Sequence, residues 1–463
     1  MTLTEQLAEL LDPGAVSTDP DDLDAHAADW APRALLDRRR GAAPAPPACV
    51  VRPRSTGEVA ALLEWADRTG TAVVPWGGGS SVLGSAVPSG RVVVDLTALD
   101  AVDPVDERSR LVHCGAGVTG PALAAHLDAA GYLLGHEPQS VGISTVGGWI
   151  ATRACGQLSA RYGGIESLLA GFIAVLPGGR VVRSKTVPRR AAGPDVASLL
   201  IGSEGTLGIV TEADLRVSPV PRERADAAVR FEHMSDGVAA CRTVVQSEVR
   251  PTLVRLYDAE DSAIFLRHFP DEAQGPLLLL SFDGEGAAAR AGAAVELAGG
   301  SPAGKHLVEH WWSHRNDAVG EFRRLMAGEG ILGPHALVET VEVAGTWTVL
   351  RDLYHSMKEA LRPLADIAGC HVSHVYRDGA CLYFTLAAAC SDDDEAHELL
   401  GRWWETAMRT CLDAGGSISH HHGIGRVKAP WLEEELGGWF DVLRAVKSAI
   451  DPKRVMNPGA LGL

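Results

Sequence analysis

Three glycine-rich segments, each entered from an apolar stretch, constrain this chain more than any other feature. The first, Trp76-Gly77-Gly78-Gly79-Ser80-Ser81, directly follows the strand-like run Thr71 to Pro75. Successive glycines let backbone N–H groups approach an anionic ligand, and the two serine hydroxyls add donors, so the loop suits a pyrophosphate. It is not the Gly-x-Gly-x-x-Gly fingerprint, because Val82 stands where the last glycine belongs. Nor is there a P-loop, since Gly299 to Lys305 has the spacing but His306 stands where Ser or Thr must hold magnesium. The second segment, Ser144-Thr145-Val146-Gly147-Gly148-Trp149-Ile150-Ala151-Thr152, follows His136-Glu137-Pro138. The third runs from Gly202-Ser203-Glu204 through Gly208-Ile209 to Glu212.

The pattern around these loops is that of mixed α and β structure. Cys49 to Val51 reads as a strand, Ser55 and Thr56 as caps of a helix over Val59 to Trp65, and further strands fall at Val92 to Leu96, Leu111 to Cys114, Phe172 to Leu176 and Val181 to Val182. After Pro219-Val220-Pro221 the texture changes to strands alternating with helices. A helix is expected over Val349 to Leu361, a strand over Cys381 to Leu386, a helix N-terminus at Asp392-Asp393-Asp394-Glu395, and a helix over Trp403 to Cys411 that Gly415-Gly416 ends. A chain of 463 residues is too long for one ordinary core. The expected division is an N-terminal helical segment over 1–44, a glycine-loop domain over 45–221, a second domain over 222–415 and a returning C-terminal segment over 416–463.

Composition narrows the partners. The net charge of −17 disfavours nucleic acid, though a local arginine cluster can still oppose that field for a small anionic substrate. The longest apolar runs, such as Leu277 to Leu280, are far short of the ~20 residues a membrane helix needs, so no span is expected. Met1 to Leu11 has neither the basic nor the apolar region of a signal peptide, and the cytoplasm is the expected location. Eight cysteines without a Cys-x-x-Cys pair fit reduced, buried thiols.

Ser417-Ile418-Ser419-His420-His421-His422-Gly423-Ile424-Gly425 places three imidazoles on one short segment after a glycine turn. Neighbours on an extended segment point in opposite directions and cannot all reach one tetrahedral ion, and no Cys or carboxylate flanks them at ligand spacing, so no metal site is expected. Side chains that titrate near neutrality suit a catalytic loop, with a solvated histidine loop as the plainer alternative.

From Cys49 to Pro221 the glycine segments, in order and spacing, resemble the vanillyl-alcohol-oxidase or PCMH-type FAD-binding domain. The resemblance implies an α+β protein with a two-part FAD-binding domain, an α/β cap domain built on an antiparallel sheet, and a C-terminal segment that returns to the FAD domain. It implies FAD contacts from Trp76, Gly77, Gly78, Gly79, Ser80, Ser81, Pro138, Ser144, Thr145, Gly147, Gly148, Thr152, Glu204, Gly208 and Ile209. Asp451-Pro452 to Asn457-Pro458-Gly459 is similar to the family's C-terminal signature. Neither Gly77 to Gly84 nor its flanks holds a His or Cys, so FAD is expected without a covalent bond; His113 and Cys114 are the residues to re-examine otherwise.

Gly135-His136-Glu137-Pro138, Arg255-Leu256-Tyr257-Asp258, Asp378-Gly379-Ala380-Cys381-Leu382-Tyr383-Phe384 and the histidine triplet resemble the alkyldihydroxyacetonephosphate synthase branch. That branch exchanges the acyl chain of acyl-dihydroxyacetone phosphate for a long-chain alcohol, a redox-neutral ether synthesis. The resemblance implies that Tyr383 and His421 move protons, with His420 and His422 orienting or sharing them. It also implies that Arg255 serves the reaction, together with Arg323 or Arg324 facing a carboxylate or phosphate. Core packing for Tyr383, an ion pair for Arg255 and a solvated helix face for Arg323-Arg324 remain open from the residues alone.

The hydroxy-acid dehydrogenases of the same fold are the alternative, as FAD-dependent oxidases or dehydrogenases of a hydroxy acid or alcohol. Their metal motif is broken here, with Val375 three residues before Asp378 and Leu382 or Tyr383 where its last histidine would fall, and His421 replaces the glutamate of their second signature segment. Gly156-Gln157-Leu158-Ser159-Ala160-Arg161 departs from the basic stretch of the synthases, which leaves room for a different metabolite. The substrate is expected to be a small molecule or lipid, with peripheral membrane contact and a homodimer left open. The Ala, Gly, Arg and Val rich composition suits a bacterial protein.

Overall fold

The computed structural model describes residues 1–463, apart from the side chains of Pro13 and Ala318. The chain divides into two compact units. The first comprises Met1–Cys155, Gly164–Val220 and His421–Leu463; the second comprises Gly156–Gly163 and Pro221–His420. The division therefore falls inside the histidine triplet, and the stretch from 416 to 420 belongs to the second unit. The organisation is α+β, as the sequence pattern and the family resemblance imply.

In the first unit a sheet takes the order Val16–Ser17, Cys49–Val51, Val92–Asp95, Val73–Trp76, and its last three strands run parallel. A second, antiparallel sheet takes the order Leu111–Gly115, Ile209–Arg216, Leu169–Leu176, Arg180–Arg183. The helix Thr56–Thr69 is longer than its apolar spacing suggests because both ends are well capped. Ser55 accepts from the Glu58 amide, and Gly70 takes the left-handed conformation that ends it. Its inner face buries Val59, Leu62, Leu63, Trp65 and Ala66 in a core that includes Leu7 from the N-terminal helices and Val455 and Met456 from the C-terminal segment.

The second unit is built on a seven-stranded sheet in the order Ser301–Ala303, Arg224–Arg230, Leu277–Asp283, Leu253–Tyr257, Ile367–Val375, Gly379–Ala389, Ala336–Thr346. Every pairing in it is antiparallel. Alternation sends Leu256, Val372, Leu382, Phe384 and Val343 to one face, where Phe384 stacks near Tyr354 of the helix Trp347–Leu361. The long helix Asp393–Asp413 starts where the acidic run sits, with Asp392 capping the Glu395 amide at 2.8 Å. On the opposite face, Leu277, Leu279 and Tyr257 pack under Leu307, Val308 and Trp311 of the helix His306–His314. The rest of that face is polar.

No helix among the described residues is long and apolar enough to cross a membrane.

Candidate active site

In the first unit, the strand Val73–Trp76 delivers the chain into the triple-glycine loop, which lies against the second glycine segment with no room for side chains. A Cβ on Gly77 would sit 2.4 Å from Thr145 Oγ1, and one on Gly78 would sit 1.9 Å from the Ile143 carbonyl oxygen. Gly79, at φ +63°, passes over the Trp76 indole, which would meet its Cβ at 2.4 Å. None of the amides from Gly77 to Val82 donates to an acceptor among the described residues. A run of unclaimed amides on a backbone that only glycine can adopt is a cradle for an anion.

The second segment is ordered by its own polar groups. Thr145 caps the helix Val146–Thr152 by accepting from the Gly148 amide, Ser144 accepts from Trp149 Nε1 at 2.7 Å, and Thr152 donates to the Gly148 carbonyl. Gly147 lies close on Ala116, and the Pro138 carbonyl accepts from the Val141 amide. Beside Trp149, edge-on at 4.8 Å between ring centroids, His136 is 3% exposed and neither ring nitrogen has a partner. Burial drives its pKa down to about 3, so the ring is neutral. His136 belongs to the Gly135-His136-Glu137-Pro138 motif, which by itself gives it no role; a buried imidazole without a partner beside Trp149 is the signal that marks it as a candidate.

The third segment also ties two loops of the first unit together. Glu204 is 5% exposed and accepts from the Ile424 amide at 2.6 Å, the Gly425 amide at 2.8 Å and the Ser85 hydroxyl at 2.6 Å. Burial raises its pKa, while those three donors favour the charged form. Glu204 thus fixes the turn after the histidines to the end of the first glycine loop. Gly425 adds to the fixing, because its Cβ would overlap the Leu83 carbonyl, which accepts from the amides of Arg426 and Val427. Gly208 packs on the Val175 carbonyl, and Ile209 is 2% exposed in the core. Ser81 donates to Ser85. His421 and His422 stand with ring centroids 4.4 Å apart.

The polar face of the second unit carries a row set by strand register. Glu342 lies opposite Tyr383, Tyr383 opposite His371, and His371 opposite Tyr257, so all four project to one side. Tyr383 stacks on His371 at 4.7 Å and 19° and is hydrogen-bonded to Thr340; burial pushes its pKa up to about 12, which keeps the phenol protonated. Arg255 donates from Nε to the Tyr257 hydroxyl at 2.8 Å and from Nη2 to His371 Nε2 at 2.9 Å. His371 Nδ1 meets Asp261 Oδ2 at 2.6 Å.

Next to this row, Glu342 holds the start of the triplet. It accepts from the Ser419 hydroxyl at 2.9 Å and from the His420 amide. His420 Nε2 pairs with the Tyr376 hydroxyl at 2.8 Å, and its ring stacks on His374 at 4.9 Å and 16°. His374 Nδ1 in turn pairs with the Ser159 hydroxyl at 2.8 Å. A register shift between Val372 and Val375 breaks the strand's alternation where His374 sits.

Of the residues that resemblance assigns to proton transfer and substrate contact, the second unit brings Tyr383, Arg255 and His420 into one polar cluster. Arg323 and Arg324 lie exposed on the helix Ala318–Met326, with Arg324 on Glu321 at 3.3 Å. His371, Asp261, Tyr257, His374, Tyr376 and Glu342 were not anticipated. Only register and long-range pairing bring them to the site, apart from Tyr257, which Arg255-Leu256-Tyr257 already places on the same face by alternation.

Comparison with known proteins agrees with this architecture. Residues 47–185 match the FAD binding domain family, and residues 220–461 match the family described as FAD linked oxidases, C-terminal domain. An uncharacterized FAD-linked oxidoreductase of Escherichia coli (strain K12), YgcU, is 32% identical over 441 residues, covering 90% of this chain and 89% of that protein. The alkyldihydroxyacetonephosphate synthase of Caenorhabditis elegans is 29% identical, covering 91% of this chain and 77% of the relative. A solved alkyldihydroxyacetonephosphate synthase superposes with a TM-score of 0.80 at 26% identity, covering 98% of this chain and 85% of that one. The unclaimed amides, the glycine-only backbone and the orphaned His136 fit FAD. With an FAD-binding domain followed by the C-terminal domain of the FAD-linked oxidases, this chain belongs to the FAD-linked oxidase family.

Proposed function

We propose that this chain catalyses a redox-neutral, FAD-dependent substitution of the ether-forming kind, in which acyl-dihydroxyacetone phosphate and a long-chain alcohol, or a closely related pair of metabolites, exchange groups. The observation that carries the reading is the polar row of the second unit, with a phenol that holds its proton, Tyr383, beside the Glu342-anchored His420. The similarity to the synthases supports it.

FAD, when bound, supplies an electron-rich ring system at the reacting carbon. The bond from that carbon to the acyl oxygen breaks, the acyl group leaves as a carboxylate, and the alcohol oxygen bonds to the carbon as its proton departs. No electrons are gained or lost overall. The chain's part is to move that proton. Tyr383 stays protonated through neutral pH and donates, whereas His420, hydrogen-bonded to Tyr376 and stacked on His374, is the group on this face suited to accept. By resemblance His421 moves protons with Tyr383, and His420 and His422 orient or share them. FAD is held without a covalent bond. His113 is engaged by Asp214 and Glu212, and Cys114 is fully buried.

The test is to incubate anaerobically reduced enzyme with acyl-dihydroxyacetone phosphate and measure fatty acid release. Release that requires reduced flavin supports the proposal. No release, with rapid bleaching of oxidised flavin by a hydroxy acid or alcohol, establishes the oxidase or dehydrogenase reading instead.

A further inference from the structure

Arg255 is a half-buried cation that pairs with no carboxylate among the described residues. Its guanidinium cannot lose its proton, and only two of its five N–H groups are used, on Tyr257 and His371. Half-buried arginines are ordinarily neutralised, so a fork held open in this way is built for an anion that arrives from outside. We infer that the second unit carries a preformed binding site for an oxyanion, carboxylate or phosphate, with Arg255 as its ligand and the Asp261–His371 pair as the device that aims it.

The tautomer follows from the contacts. A guanidinium only donates, so His371 Nε2 must accept from Arg255, and the ring proton sits on Nδ1, facing Asp261 Oδ2. A protonated His371 would set N–H against N–H. Burial and the Arg255 charge lower its pKa, in keeping with a neutral ring.

Asp261 is itself fixed in the first turn of the helix Ala259–Phe265, its amide donating to the Asp258 carboxylate at 2.8 Å, and Gly369 gives it room, since a Cβ there would come within 3.0 Å of Asp261 Cβ. Aromatic walls complete the site. The guanidinium lies 5.2 Å from the Tyr257 ring and 5.9 Å from the Trp311 ring, and Phe265 stacks on Tyr257 at 4.8 Å and 8°. A charge-assisted contact made against these rings is stronger than one in open water. Tyr383, stacked on His371, places the proton donor beside the anion. His371 and Asp261 are positioning residues, because they act through Arg255. The proton-donor role of Tyr383 rests on the proposed function; the anion site does not.

The experiment uses the FAD-loaded enzyme and two probes, inorganic phosphate and decanoate, whose binding is measured by calorimetry. Arg255→Met is expected to weaken the preferred probe roughly 10- to 100-fold, the effect of losing a charge-assisted contact. His371→Phe, which keeps the ring stacked on Tyr383 but removes the acceptor, is expected to weaken it several-fold with FAD content unchanged. His371→Gln, which restores an acceptor, is expected to recover part of the loss. Imidazole ¹⁵N spectra are expected to show His371 with its proton on Nδ1, and Asp261→Asn to disturb that signal.

The probe that binds more tightly identifies phosphate or carboxylate as the partner. Should Arg255→Met fail to retain FAD, Arg255→Lys, which keeps the charge without the fork, decides by the same criterion. Equal affinity in wild type and the Arg255 variants, or a His371 that titrates to imidazolium near neutrality, overturns the inference. Arg255-dependent binding without fatty acid release would leave this site standing and remove the ether-forming function.

Discussion

Lys447 and Asp451 give a sharp test of what holds the C-terminal segment in place. Their side chains are 3% and 0% exposed and meet at 2.6 Å. Lys447 Nζ also donates to the Thr206 carbonyl at 2.7 Å and the Met456 carbonyl at 2.9 Å, while Asp451 accepts from the amides of Val455 at 3.0 Å and Met456 at 2.9 Å. The pair therefore closes the turn that lays Val455 to Asn457 along Val73, in the strand that enters the triple-glycine loop. Removing one partner leaves a buried charge facing neutral groups, which costs about 3–5 kcal/mol. Asp451→Asn and Lys447→Met should each lose stability by that amount. The double variant leaves no buried charge, so its loss should fall well below the roughly 6–10 kcal/mol sum of the singles. Equilibrium urea unfolding followed by flavin fluorescence measures all three. Single variants that cost less than about 1 kcal/mol, or singles that simply add, would refute the argument that the charge pair locks this turn.

Other outcomes are equally specific. Tyr383→Phe and His420→Ala should each lower turnover by roughly 10²- to 10⁴-fold with FAD retained. Because Glu342 lies opposite Tyr383 and anchors His420, the double variant should be less impaired than the product of the singles, as read from single-turnover rates. His136, with its pKa pushed by burial down to about 3 from the ordinary 6.5, makes the unfolded chain bind the extra proton between those values, so stability of flavin-free protein should fall as pH drops from 6.5 toward 3. The slope is about 1.4 kcal/mol per pH unit, and His136→Leu should flatten it in urea titrations at several pH values; identical slopes would contradict the burial argument. Acid precipitation should leave the flavin in the supernatant, and a yellow pellet would mean covalent attachment.

What the sequence made legible was local. Glycine runs, the Ser55 cap and the acidic start of the helix Asp393–Asp413 are short-range signals, and each sits where its pattern puts it. The alternating strand of Tyr383 was legible too, although it extends over Gly379–Ala389, longer than its apolar run, because its ends pair with Ala336–Thr346. The aiming of Arg255 was not. His371 and Asp261 are 110 positions apart and meet only because the strand Ile367–Val375 pairs beside Leu253–Tyr257. Likewise, the Glu204 contact to Ile424 spans 220 positions, and the motif that contains Glu204 pointed to the cofactor rather than to the histidine turn. Local chemistry named the reactive groups; register and long-range packing determine which of them meet.

The route of the chain through the first unit also bears on how the protein is made. Val455 and Met456 complete a core whose other members come from residues before Val220, yet residues 221–420 of the second unit are synthesised in between. A nascent chain that has emerged as far as the second unit has an open edge at Val73 and an unfinished floor beneath the glycine loop. The floor beneath the strand that enters the glycine loop is therefore completed only when Val455 and Met456 join it.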